Sequence, residues 1–155
     1  MNYQMSGMVV LVTGGSRGLG KCIVKKFLES ETIVVFADVD IVGGEATQKE
    51  LSELGTVEFI QCDVTSEADV AAMIQHIVEK YGRLDFLVNN AAAVTADFVP
   101  LHENSYTTVQ KMNAVNIGGT FLCMKYAIEQ MLRQPDRGSI VNISSASALY
   151  SSYGL

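Results

Sequence analysis

The sequence predicts an α/β fold in which helices cover both faces of a doubly wound parallel sheet. Short apolar runs alternate with longer stretches of helical periodicity along the whole chain, which is typical of successive βαβ units. The first run, residues 8–12, has five apolar residues in succession, as expected for a strand buried on both faces. Glycines 14, 15, 18 and 20 follow this run immediately and lead into a helical pattern.

The first helix is predicted to pack on the sheet through Leu19, Ile23 and Phe27, which recur four residues apart. The second strand is predicted over residues 32–37, and Asp38 ends it.

The second helix is expected over about residues 42–54, because Gly55 offers a stop signal. The third strand is predicted over residues 57–62 and ends at Asp63.

The third helix has both of its ends marked in the sequence. Residues 66–69 read Ser-Glu-Ala-Asp and match a capping box, so the helix is predicted to begin there. Gly82 is predicted to end it. One face of this helix carries the apolar residues expected to meet the core, which are Val70, Ile74, Ile77, Val78 and Tyr81.

The last predicted elements are a strand over residues 84–88, a long helix over about 104–133 and a strand over 139–143. Gly118 and Gly119 lie in the middle of the long helix, where each glycine costs about 1 kcal/mol relative to alanine. We therefore expect these glycines to permit close packing against a neighbouring element.

Composition narrows the class of protein. The chain has 155 residues and only 18% of them are charged, which predicts one globular domain over residues 1–155 with a real core. The net charge is −6 and no run of Lys or Arg exceeds two, which argues against nucleic acid or an anionic membrane as a partner. We expect no membrane span, because no apolar run approaches the roughly 18 residues of a span. We expect no signal peptide, because residues 1–7 contain no basic segment followed by an apolar one.

Cysteine and histidine give no sign of a metal site. Cys22, Cys62 and Cys123 are far apart, so they are predicted to be small buried hydrophobes in a reducing, cytoplasmic compartment. His76 and His102 have no partner at metal-ligand spacing and are predicted to be surface residues.

The glycines that follow the first strand are spaced for phosphate binding. Gly14, Gly18 and Gly20 follow Thr13 as Gly-x-x-x-Gly-x-Gly, which differs from the Gly-x-Gly-x-x-Gly of most dinucleotide folds. A glycine pattern alone can be an ordinary turn, but here a strand precedes it and a helix follows. Asp38, at the end of the next strand, is placed to accept hydrogen bonds from a ribose; the alternative is a helix cap or a solvated loop acid.

This Thr-Gly-x-x-x-Gly-x-Gly stretch resembles the cofactor loop of the short-chain dehydrogenase/reductase family. The resemblance implies a Rossmann-like sheet of order 3-2-1-4-5 and cofactor binding by Gly14, Ser16, Arg17, Gly18, Leu19 and Gly20.

Two further motifs resemble cofactor contacts of the same family. Asp63-Val64 resembles its adenine-side contact, in which the carboxylate meets the exocyclic amine and the valine packs on the ring. Asn90, Ala91 and Ala92 fall within a stretch that resembles its Asn-Asn-Ala-Gly motif, with Ala92 in place of the glycine. The asparagines are also expected to satisfy backbone groups at the end of their strand.

The cofactor is predicted to be NAD, with NADP less favoured. Asp38 would repel a 2′-phosphate, at a cost of several kcal/mol for charges about 4 Å apart. Arg17 acts in the opposite sense, since NADP users of the family often carry a basic residue there. Val39 supplies no second positive charge, so we weight Asp38 more.

Two catalytic residues are implied by the resemblance. Asn116 matches the asparagine that locally breaks a helix and holds a water in a proton relay, with Asn113 as a rival and a plain polar helix face as the alternative. Ser145 matches the serine that orients the substrate oxygen at the end of the fifth strand, although a Ser-Ser pair at a strand end can also be turn chemistry.

The family's acid/base pair, Tyr-x-x-x-Lys, does not occur after Ser145. Tyr150 has Gly154 four residues later, and the sequence ends before a lysine could follow Tyr153, so both are expected to lie in the loop before the true tyrosine. We therefore expect the chain to be truncated after the fifth strand and inactive by itself, because a tyrosine near its usual pKa of about 10 is a poor base at neutral pH.

The predicted function is hydride transfer between a nicotinamide and a secondary alcohol or ketone, by a protein that forms a homo-oligomer when complete. One alternative is a non-catalytic nucleotide-binding or interaction module, because half of the acid/base set is missing. A methyltransferase with a similar glycine turn is a weaker alternative, since it leaves the Asn-Asn-Ala and Ile-Ser-Ser stretches unexplained.

Overall fold

A computed structural model describes residues 5–94 and 100–146 of the chain. Its strands are β1 (Val9–Thr13), β2 (Ile33–Asp38), β3 (Val57–Gln61), β4 (Phe86–Asn89) and β5 (Ser139–Asn142). Its helices are α1 (Gly18–Leu28), α2 (Ile41–Leu51), α3 (Glu67–Tyr81), α4 (Tyr106–Asn113) and α5 (Thr120–Leu132).

The five strands form one parallel sheet of order β3-β2-β1-β4-β5. This confirms the predicted fold class and strand order. Strands β2 and β3 lie in succession on one side of β1, and β4 and β5 lie in succession on its other side. Connections leave in opposite directions on the two sides of β1, so a crevice opens beyond the carboxyl ends of β1 and β4.

Two apolar clusters fill the spaces between the sheet and its helices. Val9 and Leu11 of β1 point into the cluster covered by α3 and α5, whereas Val10 and Val12 point into the cluster covered by α1 and α2. Each of these four side chains is at most 1% exposed. The unbroken apolar run in the sequence therefore reflects burial on both faces of the central strand.

The packing face of α1 differs from the prediction. The buried residues are Gly20, Val24 and Leu28, whereas Leu19 is 59% exposed, and Ile23 and Phe27 are only partly buried. Close backbone contact explains the difference, because a Cβ at Gly20 would lie 2.0 Å from the Gly14 carbonyl oxygen. Helix α1 packs Gly20 against the end of β1, so its buried face begins at Gly20 and not at Leu19, one residue later in the sequence than predicted.

The predicted ends of α3 are confirmed. Ser66 is the N-cap, and its hydroxyl accepts a hydrogen bond from the Asp69 N–H at 3.3 Å. Gly82 ends the helix with φ +79°, a left-handed conformation that favours glycine. At the end of α2, a short 3₁₀ turn over Ser52–Leu54 precedes Gly55.

The single long helix of the prediction is interrupted. A π-helical segment, Ala114–Gly119, separates α4 from α5. Of the two glycines in this segment, Gly119 packs tightly, because a Cβ there would lie 2.6 Å from Val64 Cγ2. The nearest atom to a Cβ at Gly118 is 3.8 Å away. The predicted close packing is therefore confirmed for Gly119 and wrong for Gly118.

An apolar stripe on the last helix remains exposed. Ile117, Phe121, Ile128 and Leu132 recur at helical spacing and are 44–67% exposed. Self-association of the protein stays a prediction. Among the described residues, no helix is both long enough and apolar enough to span a bilayer.

The two neighbouring glycines give a matched stability test. We expect Gly119→Ala to lower the free energy of unfolding by about 1–3 kcal/mol, because the added methyl overlaps Val64. Gly118→Ala should change it by less than about 1 kcal/mol, with any change favourable, because alanine has the higher helix propensity. Urea unfolding followed by circular dichroism measures both. Equal destabilisation by the two substitutions would contradict the packing role of Gly119.

Candidate functional site

A cavity of about 370 Å³ opens beyond the carboxyl ends of β1, β2, β3 and β4. All of the predicted cofactor-binding residues except Ser16 and Gly18 line it. Its walls are Gly14, Arg17, Leu19, Gly20, Ala37, Asp38, Val39, Cys62, Asp63, Val64, Asn90, Ala91, Ala92, Ala93 and Val115.

The glycine loop brings backbone to the cavity wall. Gly14 and Gly18 have φ of +67° and +55°, and a Cβ at Gly14 would lie 2.8 Å from Ala91 Cα. Arg17 is the N-cap of α1, but its side chain makes no capping hydrogen bond among the described residues. The first turn of α1 contains no acidic residue either. The N–H groups of the first turn of α1 therefore have no side-chain cap in the described part of the chain, and this positive end of the helix dipole suits a phosphate.

Asp38 faces the cavity and also holds the glycine loop. Its Oδ2 accepts hydrogen bonds from the Ser16 N–H at 3.1 Å and from the Ser16 hydroxyl, and its Oδ1 accepts from the Asp40 N–H at 3.1 Å. Asp40, rather than Asp38, caps α2 by accepting from the Gly43 N–H at 2.9 Å. A carboxylate has about four acceptor positions, so capacity for ribose hydroxyls remains.

Ser16 and Gly18 do not line the cavity. Ser16 is 4% exposed, and its hydroxyl points to Asp38. Gly18 contributes a turn conformation, with open space where a Cβ would be.

Asn90 ties the end of β4 to the end of β1. Its Nδ2 donates to the carbonyl oxygens of Thr13 at 3.0 Å and Gly14 at 2.9 Å. The N–H groups of Asn90 and Ala91 donate to the Thr13 hydroxyl at 3.1 Å and 3.0 Å. The expected role of this motif in satisfying strand-end backbone groups is therefore seen, and the same contacts place Ala91 and Ala92 at the cavity wall.

Asp63 and Val64, which are predicted to contact the adenine, also line the cavity. Asp63 Oδ1 accepts from the N–H of Thr65 at 2.9 Å and from its hydroxyl at 2.8 Å, which fixes the turn after β3. Val64 is 8% exposed and packs on Gly119 of the π-helical segment. This contact joins the wall of the cavity to the interrupted helix.

Asn116 lies within the π-helical segment and binds the chain that follows β4. Its Oδ1 accepts from the Ala93 N–H at 2.8 Å, and its Nδ2 donates to the Ala93 carbonyl at 3.0 Å. Asn113 ends α4 one turn earlier. The interruption of the helix agrees with the expected position of the catalytic asparagine, since π-helical turns often occur at functional sites. A catalytic role for Asn116 stays a prediction.

Ser145 follows β5 at the same edge of the sheet as the cavity but does not line it. The end of β5 is fixed against β4, because Asn89 Nδ2 donates to Asn142 Oδ1 at 2.8 Å and the Ile143 N–H donates to the Asn89 carbonyl at 2.9 Å. Tyr150 and Tyr153 lie outside the described residues.

The cysteines divide into two environments. Cys62 is 2% exposed at the base of the cavity, where burial, together with the carboxylates of Asp69 and Asp63, raises its pKa to about 12. Burial next to Cys62 also raises the pKa of Cys123 to about 12. Cys22 is exposed on α1, so its predicted burial is wrong, because it lies beside the packed face of that helix.

Sequence reasoning missed five cavity residues at or near strand ends and in the interrupted helix, namely Ala37, Val39, Cys62, Ala93 and Val115. The position of Cys62 directly before Asp63 was the available signal. His76 and His102 have exposed side chains, as predicted. Within the described residues, no group of three or more His, Cys, Asp or Glu side chains is placed to hold a metal ion.

Comparison with protein families identifies relatives of the chain. The family model described as short chain dehydrogenase matches residues 8–155. An L-fucose dehydrogenase of Mus musculus is 43% identical over 140 residues, which cover 90% of this chain and 49% of that protein. A 2,5-dichloro-2,5-cyclohexadiene-1,4-diol dehydrogenase of Sphingobium indicum is 37% identical over 145 residues, covering 94% and 57%. The chain thus spans about half the length of these curated relatives.

Solved structures show the same architecture. An NAD⁺-bound xylitol dehydrogenase superposes with a TM-score of 0.93 at 27% identity, covering 98% of this chain and 58% of that one. A metagenomic short-chain oxidoreductase in complex with NADP superposes with a TM-score of 0.89 at 30% identity, covering 98% and 68%.

The thiol environments predict selective alkylation. At pH 8 the thiolate fraction of a group with a pKa near 12 is about one in ten thousand, so Cys62 and Cys123 should resist iodoacetamide while the protein is folded. Cys22 should react, since it is exposed. Peptide mass mapping reads out each site, with urea-unfolded protein and the Cys22→Ser variant as controls. Native labelling of Cys62 at the rate of Cys22 would refute its burial.

Proposed function

The chain belongs to the short-chain dehydrogenase family of oxidoreductases, and we propose that it binds NAD and transfers a hydride between the nicotinamide and a secondary alcohol or ketone. The observation that carries this proposal is the cavity at the uncapped N-terminus of α1, with Asp38 on its wall. Family membership supports the reaction class, and the cavity supports the cofactor.

The residues present fit a dinucleotide. The contact of Gly20 with the Gly14 carbonyl leaves no room for a side chain, so the loop presents backbone to a diphosphate. Val64 and Val39 line the same cavity and offer apolar surface to an adenine ring.

Asp38 supports NAD over NADP. A second negative charge about 4 Å away would be disfavoured by about 4 kcal/mol at an effective dielectric constant of about 20. Arg17 lines the same cavity and would favour the 2′-phosphate, but it is exposed and therefore screened by solvent. Of the solved relatives named above, one holds NAD⁺ and the other NADP.

Bound nicotinamide would supply or accept the hydride. In this proposal Ser145 donates a hydrogen bond to the reacting oxygen, and Asn116 holds the Ala93 segment of the cavity wall. Proton transfer to that oxygen needs an acid/base group of matched pKa. No tyrosine in the sequence has a lysine four residues later, so we expect residues 1–155 alone to bind cofactor without turnover.

A non-catalytic nucleotide-binding module is the second candidate, because a cavity at the uncapped N-terminus of α1 would serve binding without turnover equally well. The two candidates differ in what the full-length protein does. An assay of NADH formation with L-fucose, xylitol and simple secondary alcohols separates them, because the module would bind NAD and reduce none of it.

One test of the proposed function concerns the preference for NAD over NADP. Asp38→Ala should narrow the ratio of NAD to NADP affinity by at least about tenfold, because it removes both the ribose acceptor and the repulsion. Affinity for NAD should also fall, since Asp38 holds Ser16. Asp38→Asn is the control that removes the charge and keeps one acceptor oxygen. Titration calorimetry measures the ratio; tighter binding of NADP than NAD to the unmutated protein would refute the prediction.

Another test of the proposed function concerns the role of Ser145 in turnover. In the full-length enzyme, Ser145→Ala should lower kcat by about 10–10³-fold and leave the Kd for NAD nearly unchanged, because the serine bonds the reacting oxygen rather than the cofactor. Ser144→Ala is the neighbouring control and should have a much smaller effect. Steady-state kinetics and NAD titration measure the two quantities. Equal losses in both variants would show that the reacting oxygen is held by another group.

A further inference from the structure

Thr47 is a buried polar residue that contacts the glycine loop from behind. It lies in the middle of α2, is 2% exposed and does not line the cavity. Its hydroxyl donates to the Ser16 carbonyl oxygen at 2.7 Å, across 31 positions of sequence. The carbonyl oxygen of Ser16, in the glycine loop, therefore accepts a hydrogen bond from a side chain of α2.

This contact belongs to a group of hydrogen bonds that links Thr47, Ser16, Asp38 and Asp40. Ser16 donates to Asp38 through both its N–H and its hydroxyl. Asp38 in turn accepts from the N–H of Asp40, the residue that caps α2. Helix α2 is thus joined to Asp38 in two ways. Its N-cap residue, Asp40, donates to Asp38 directly, and Thr47 contacts Ser16, which donates to Asp38.

We infer that Thr47 is a positioning residue for the dinucleotide, which acts through Ser16 to hold the Asp38 carboxylate at the cavity wall. This inference rests on the proposed function, because it concerns the same cofactor site. The hydroxyl of Thr47 keeps Ser16 in place, and Ser16 fixes one oxygen of Asp38. The Asp38 carboxylate is therefore already in position before the cofactor binds, where it can accept from the ribose hydroxyls and repel a 2′-phosphate.

Removal of the hydroxyl should weaken binding without touching the cavity wall. In Thr47→Val the Ser16 carbonyl loses its donor, and the loop populates arrangements in which Asp38 is displaced. NAD affinity should fall roughly tenfold, and NADP affinity should fall less because repulsion from Asp38 is also relaxed. Thr47→Ser keeps a hydroxyl and should restore both affinities to within about twofold.

Thr32 provides a matched control. It is 3% exposed, and its hydroxyl donates to the Phe27 carbonyl at 2.9 Å, so it is also a buried threonine bonded to main chain. It precedes β2, whereas Asp38 ends that strand about 20 Å away at 3.3 Å per residue. Thr32→Val should lower the urea midpoint as Thr47→Val does, while leaving both dinucleotide affinities unchanged.

The experiment is calorimetric titration of the unmutated chain and the three variants with NAD and NADP, with urea unfolding on the same preparations. A narrowed NAD-to-NADP ratio in Thr47→Val alone supports the inference. The same affinities in Thr47→Val and Thr32→Val overturn it and leave the proposed function standing. If the unmutated chain binds neither dinucleotide, the proposed function fails and this inference fails with it.

A second variant covers the case in which Thr47→Val does not fold. Ser16→Ala removes the hydroxyl that donates to Asp38 and keeps the contact with Thr47. It should narrow the NAD-to-NADP ratio, and an unchanged ratio overturns the inference.

Discussion

The candidate site depends on one close contact between backbone segments, that of Gly20 in α1 with the carbonyl of Gly14 at the end of β1. No side chain fits between them, because a Cβ at Gly20 would lie 2.0 Å from the carbonyl oxygen and 2.6 Å from Asn90 Nδ2. This contact brings the N-terminus of α1 to the mouth of the crevice between β1 and β4. The packed face of the helix and the exposure of Leu19 both follow from it.

Two side chains at the strand ends hold structure and line the cavity at once, since Asn90 bonds two carbonyls at the end of β1 and Asp63 bonds Thr65. Asn116 does not line the cavity, but it bonds both backbone groups of Ala93, which does. Parallel strands end together at one edge of the sheet, where their last backbone groups lack ladder partners. Polar residues such as Asn90 and Asp63 satisfy groups at this edge and also contribute polar atoms to the cavity wall. A structural and a functional interpretation of such a residue are therefore not alternatives.

The sequence was sufficient to predict the strands, their order and most of the cavity wall. These features follow from local signals, namely apolar runs, glycine turns and the Ser66 cap, combined with a family resemblance. The predictions that failed depend on contacts between distant residues. The burial of Gly20 instead of Leu19, and the packing of Gly119 but not Gly118 on Val64, are decided by how closely two backbones approach. The π-helical segment likewise has no marker in helical periodicity, and it was expected only through Asn116.

The hydrogen bonds that Asp38 accepts from its own chain have an evolutionary consequence. Its carboxylate accepts two hydrogen bonds from Ser16 and one from the Asp40 N–H, so a lineage that exchanged this acid for a small or basic residue would lose support for its glycine loop in the same step. We therefore expect a change of cofactor in such a lineage to need a further substitution that anchors Ser16 by another route, so that the effect of replacing the acid depends on the residues around the loop.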